Sequence, residues 1–162
     1  MNIQQPAPSE SPDSVTESQD DQQRLIVFHL RVGWWSLLIF LTLGLILEGM
    51  HGLKVGWYLD VSNDVRRLMW TLAHAHGTLL ALLHMAFAAT VAICPGGNGV
   101  SRKLASRCLL AAGALVPLGF FLGGTVIHGG DPSVGILLVP VGAVLLFASV
   151  LMTARSLDKT NS

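Results

Sequence analysis

Four stretches of this chain, Val32 to Leu47, Leu68 to Ser101, Cys108 to Gly130 and Pro132 to Ala154, contain no Asp, Glu, Lys or Arg. A bilayer core of about 30 Å needs roughly 20 apolar residues as helix, and each stretch reaches that length once its flanks are counted. The first does so only by continuing through Glu48 to about Leu53, which places a carboxyl group inside the membrane. In lipid a segment must satisfy its own backbone polar groups, so four separate runs predict four helices. Composition agrees. Charged residues make up 12% of the chain, against about 25% in an average soluble domain, which excludes an ordinary water-soluble fold. The balance of ten basic and ten acidic residues lacks the basic footprint of a nucleic-acid binder. Two cysteines, Cys94 and Cys108, are too few for a disulfide scaffold or a cysteine-only zinc site. The expected fold is therefore an all-α, integral membrane four-helix bundle of up-and-down topology, with helices at about 30–53, 66–94, 102–129 and 132–155.

The connections carry matching signals. Ser62-Asn63-Asp64 supplies caps before the second helix, and Cys94-Pro95-Gly96-Gly97-Asn98-Gly99 reads as a break with Ser101 as the next cap. Gly129 and Gly130 suit the left-handed end of the third helix, Asp131 suits a cap and Pro132 the first turn of the fourth. Pro117 and Pro140 are expected to kink their helices. Arg24, Arg31, Arg102, Lys103, Arg107, Arg155 and Lys159 fall on one side, and Lys54, Arg66 and Arg67 on the other. That bias predicts both termini on the cytoplasmic side of the cell's inner (cytoplasmic) membrane. Trp34 and Trp35 on the inner side, and Trp57, Tyr58 and Trp70 on the outer, suit the two interfaces.

Residues 1–23 are rich in Pro, Ser, Gln and acid, without Lys or Arg, and are expected to form a disordered acidic tail. They also make a poor signal peptide. Arg24 to Val32 begins the helical domain, which is expected to cover residues 24–155, with 156–162 a short C-terminal tail.

Ionisable residues within spanning segments are costly and count as functional candidates. Glu48 and His51 close the first helix, His74 and His76 lie in the second, and His128 lies with Asp131 where the third turns into the fourth. At 1.5 Å of rise per residue, His74 and His76 sit roughly 9 and 12 Å in from Leu68, and Glu48 roughly 7 Å in from its helix end. The depths match within one turn, so Glu48, one of the paired histidines, and His51 or His128 are expected to converge. His74 and His76 point about 200° apart and cannot ligate one ion together from a regular helix. The candidate cofactor ligands are His74, His76, His51 and His128, with Glu48 added for a metal. Imidazole is the commonest protein ligand for transition metals and an axial ligand of haem iron. The competing reading gives these histidines only hydrogen bonds across helices. His84 is expected to be a helix–helix hydrogen-bond partner, since no other ionisable group is assigned to its depth. Cys94 and Cys108 are expected to be inert thiols. Small residues at Ala73, Gly77 and Ala81, and from Gly119 to Gly123, allow close helix approach and would equally suit a homodimer.

The segment Leu72-Ala73-His74-Ala75-His76-Gly77-Thr78-Leu79-Leu80-Ala81 resembles the His-x-His segment of short four-helix bacterial membrane proteins related to subunit I of the haem-copper oxidases. The segment Val134 to Phe147 resembles their last helix, and the likeness covers roughly residues 33–155. It implies haem ligation by His74 or His76. The adjacent histidine pair and the copper-ligand histidine with its tyrosine are missing, so oxygen reduction by this chain alone is not implied. The outline is also similar to the hydroxylaminobenzene mutases, which carry a histidine near the start of the second helix. It is similar again to the small multidrug transporters, which carry a Glu in the first helix, nearer mid-membrane than Glu48.

These readings lead to a multi-pass membrane protein that binds haem b or a transition metal ion through an outward-facing histidine cluster and is accessory to electron transfer, within a homodimer or a larger respiratory membrane complex. The alternatives are a small transporter or proton relay using Glu48, a membrane isomerase, and a structural or assembly subunit without a cofactor. Whether the chain is an enzyme stays open at this stage.

Overall fold

In the computed structural model the described residues are 12–60, 64–94, 99–127 and 130–158. They form helix α1 (Pro12–Gly52), α2 (Asp64–Ile93), α3 (Gly99–Gly123), a single 3₁₀ turn (Val134–Leu137) and α4 (Leu138–Asp158). Four helical segments, of 34, 30, 25 and 25 residues, are long and apolar enough to cross a membrane.

Consecutive helices pack antiparallel. Gly33 of α1 lies at Met85 of α2 and Gly44 at His74; Gly113 of α3 lies at His84 and Gly124 at Trp70. On α4, Ser149 reaches Ala105 and Gly142 lies at Val116. The small residues make these approaches possible. A Cβ on Gly77 would enter the Phe40 ring, and one on Gly142 would stand 2.6 Å from a Val116 methyl. Ala73, Gly77 and Ala81 are buried within the chain, Gly77 against Phe40 and Ala81 against Gly33 of α1, so this stripe serves internal packing.

α2 and α3 are central, while α1 and α4 flank them and turn apolar side chains outward: Leu45 is 74% exposed, Phe147 70%. Outward apolar faces are what a lipid environment requires. At the end that carries the termini, all four helices meet around Phe87, Val91, Ala105 and Leu109, with Ile26, Leu146 and Met152 packed against them. At the opposite, loop end α1 and α2 bound an open groove.

Several expected boundaries move. Residues 12–23 belong to α1 instead of a disordered tail; residues 1–11 lie outside the described residues. Tertiary bonds hold this extension: Gln22 donates from Nε2 to the Val91 carbonyl at 3.0 Å, and Lys103 reaches Asp21 at 2.9 Å. α3 begins at Gly99, ahead of Ser101, and ends at Gly123, short of the expected 129. Its last carbonyls find partners outside the helix: Trp70 Nε1 donates to Phe121, Ser133 Oγ to Leu122 and Ser133 N to Gly123. Ser133, rather than Asp131, is the cap before the last helical segment. Gly130 has φ +90, as a left-handed turn requires, while Gly129 lies outside the described residues. Pro140 falls in the first turn of α4, where a missing N–H breaks no helical bond, so it introduces no kink by that route.

Candidate functional site

The end of α1 sets the site. Val55 N bonds to Met50 O at 3.0 Å and Lys54 N to His51 O at 3.1 Å, with Lys54 at φ 53. This is the Schellman arrangement, with lysine where glycine is usual. The chain then turns back, burying Tyr58, and Trp70 of α2 stacks on Phe121 at 5.4 Å and meets Trp57 edge-on at 5.7 Å. Arg66 ties this roof together: its guanidinium donates to the Trp57 and Gly124 carbonyls and lies 5.6 Å from the Trp57 ring centre.

Beneath the roof, between α1 and α2, is an open groove of about 910 Å³. Leu41, Leu45, Val65 and Leu68 line its apolar wall; Glu48, His51, Thr71 and His74 line its polar side. Asp64 and Arg67, also at the groove, pair with each other at 2.7 Å. Glu48 has no such cation: among the described residues no ion pair compensates it. The groove therefore holds one unbalanced carboxylate among its charged side chains.

His74 is the most precisely held of these side chains. Its Nδ1 donates to the Phe40 carbonyl at 2.7 Å, and its ring lies against Gly44, where a Cβ would collide with it. With Nδ1 carrying the proton, neutral His74 has a bare Nε2, the arrangement that suits a ligand or a proton acceptor.

The expected cluster is thus divided. Glu48, His51 and His74 share the groove, as their matched depths predict, although Glu48 and His51 are exposed rather than buried. His76 lies on the other side of α2, bonded at Nδ1 to Leu72 O at 2.9 Å and packed 4.8 Å from the Phe120 ring of α3. The 200° separation decides this, sending one histidine to α1 and the other to α3. His128 lies outside the described residues. Among the described residues no group of three His, Cys, Asp or Glu side chains is placed to hold a metal ion.

The expectation for His84 is met in kind but not in partner. It bonds to a second histidine, His29 of α1, through Nδ1 atoms 2.8 Å apart, so an ionisable group does share its depth. Comparison with protein-family models, curated proteins and solved structures finds no match.

Proposed function

We propose that the chain is a multi-pass protein of the cytoplasmic membrane, up-and-down, with both termini cytoplasmic and the groove in its outer half, and that the groove binds a small lipophilic cation. The bias of seven basic residues against three supports the orientation. The unbalanced Glu48 carboxylate beside apolar walls carries the ligand class: the walls bury the body of the molecule and the carboxylate attracts its charge. The groove volume suits a drug-sized ligand, whose sites are commonly about 300–1,000 Å³.

Equilibrium dialysis of tetraphenylphosphonium against the purified protein in mild detergent tests this. Binding should weaken about tenfold in Glu48→Gln, equivalent to about 1.4 kcal/mol, and weaken with added salt. Equal binding by the variant refutes the ligand class. A second reading, His74 as axial ligand to haem b or as a metal ligand accessory to electron transfer, is favoured by its Nδ1–H bond to Phe40. It requires a stoichiometric Soret band or bound metal in protein from the native membrane, lost in His74→Ala.

A further inference from the structure

Away from the groove, toward the termini, three buried polar side chains from three helices form one hydrogen-bonded chain. His29 of α1 places Nδ1 2.8 Å from His84 Nδ1 of α2, and Nε2 2.7 Å from Ser106 Oγ of α3. Relative exposures are 0%, 2% and 4% for His29, His84 and Ser106. Phe87 packs against the His29 ring at 4.6 Å, with the edge of Phe28 at 5.7 Å. Among the described residues no carboxylate, Lys or Arg is bonded to this chain. Arg24, Arg31 and Arg107 are exposed on the neighbouring turns, Arg102 turns to Gln22 and the Cys94 carbonyl, and α4 contributes only Ser149, which donates to Ala105 O.

Two Nδ1 atoms at this separation share one proton, one ring donating and the other bare. The chain therefore has two neutral arrangements. In one, Ser106 Oγ donates to His29 Nε2, His29 Nδ1 donates to His84 Nδ1, and His84 carries its remaining proton on Nε2. In the other every bond is reversed: His84 Nδ1 donates to His29 Nδ1, His29 Nε2 donates to Ser106 Oγ, and His84 Nε2 is bare. Passing from the first to the second breaks the O–H of Ser106, the Nδ1–H of His29 and the Nε2–H of His84. It forms Nε2–H on His29, Nδ1–H on His84 and a new O–H on Ser106. One proton enters at Ser106 and one leaves at His84 Nε2, so the chain's net charge is the same before and after. That suits a site from which water and counter-charges are excluded.

We infer that Ser106, His29 and His84 form a proton relay through the cytoplasmic half of the helical domain. The far end of the chain, His84 Nε2, lies against Gly113 of α3, where a Cβ would stand 2.8 Å away. Farther along α2, the Thr78 hydroxyl is shut from solvent and bonded to nothing among the described residues. By helical rise it lies about 9 Å from the level of His84 and about 6 Å from that of His74, a polar atom between relay and groove. The inference rests on the proposed membrane orientation and not on what the groove binds.

The test uses the full chain in liposomes holding a pH-sensitive dye, with a potassium diffusion potential imposed by valinomycin. Wild-type protein should admit protons faster than protein-free vesicles. His84→Asn, which keeps a hydrogen-bonding group but cannot exchange tautomers, should slow this at least tenfold, and Ser106→Ala should do the same. Both should bind tetraphenylphosphonium as wild type does, so loss of flux with binding intact separates the relay from the groove. Absence of wild-type flux, or unchanged flux in both variants, overturns the relay. Should either variant misfold, ¹⁵N spectra of histidine-labelled wild type decide the pairing. One protonated and one bare Nδ1 coupled across a hydrogen bond are expected, and two uncoupled rings would overturn it.

Discussion

Hydrogen bonds inside the helical domain differ in what their loss exposes. Ser149 donates to Ala105 O at 2.8 Å, and that carbonyl stands within α3, so Ser149→Ala should cost only about 0.6 kcal/mol, the usual scale for polar contacts between membrane helices. His84→Leu instead leaves His29 Nδ1 buried without a partner and should cost about 1–3 kcal/mol. The double variant His29→Leu/His84→Leu should cost less than the sum of the singles, by about 1 kcal/mol, because neither partner is then stranded. Unfolding in mixed detergent measures all four, and additive costs would show that the pair is not coupled. At this scale the matched depths of Glu48 and His74 were legible from helical rise, which left open whether His74 or His76 faces α1. His29 was not. Arg31 bounds the uncharged stretch and hides the residues before it, yet Arg31 is exposed and His29 faces inward. The clue was the run His29, Gly33, Phe40, Gly44, Leu47, whose spacings of three, four and seven residues keep one face of α1 against α2.

The elements answer to two kinds of force. Uncharged runs decide that helices exist, and these were readable; helix ends depend on distant partners, which the local sequence does not name. Thus α3 stops at Gly123 because Trp70 and Ser133 take its carbonyls, and ahead of Arg24 the α1 side chains Gln22 and Asp21 meet the Val91 carbonyl and Lys103. Two variants probe this level. Lys54 holds the left-handed position at the end of α1, φ 53, where a side chain costs about 1–2 kcal/mol. Lys54→Gly should raise the thermal midpoint, offset in part by the extra freedom of glycine in the unfolded chain; a fall would show that the lysine side chain supports the turn. Gly77→Ala should destabilise by about 1–3 kcal/mol, since the new methyl meets the Phe40 ring between α1 and α2. An unchanged melting curve would mean that the two helices are less closely seated.

For the molecule as a whole, the four helices close around one apolar cluster at the termini, and at the loop end α1 and α2 bound an open groove with one polar side. Reporter fusions should place both termini in the cytoplasm; both termini outside would invert the assignment of groove and relay, and termini on opposite sides would contradict four spans. Whether a lipophilic cation lies between α1 and α2 can be read by photolabelling with a diazirine-bearing lipophilic cation, followed by peptide mass spectrometry. Adducts should be confined to residues 41–51 and 65–74, displaced by excess tetraphenylphosphonium and reduced in Glu48→Gln. Adducts spread over the outward faces of α1 and α4, indifferent to competitor and to Glu48, would contradict it.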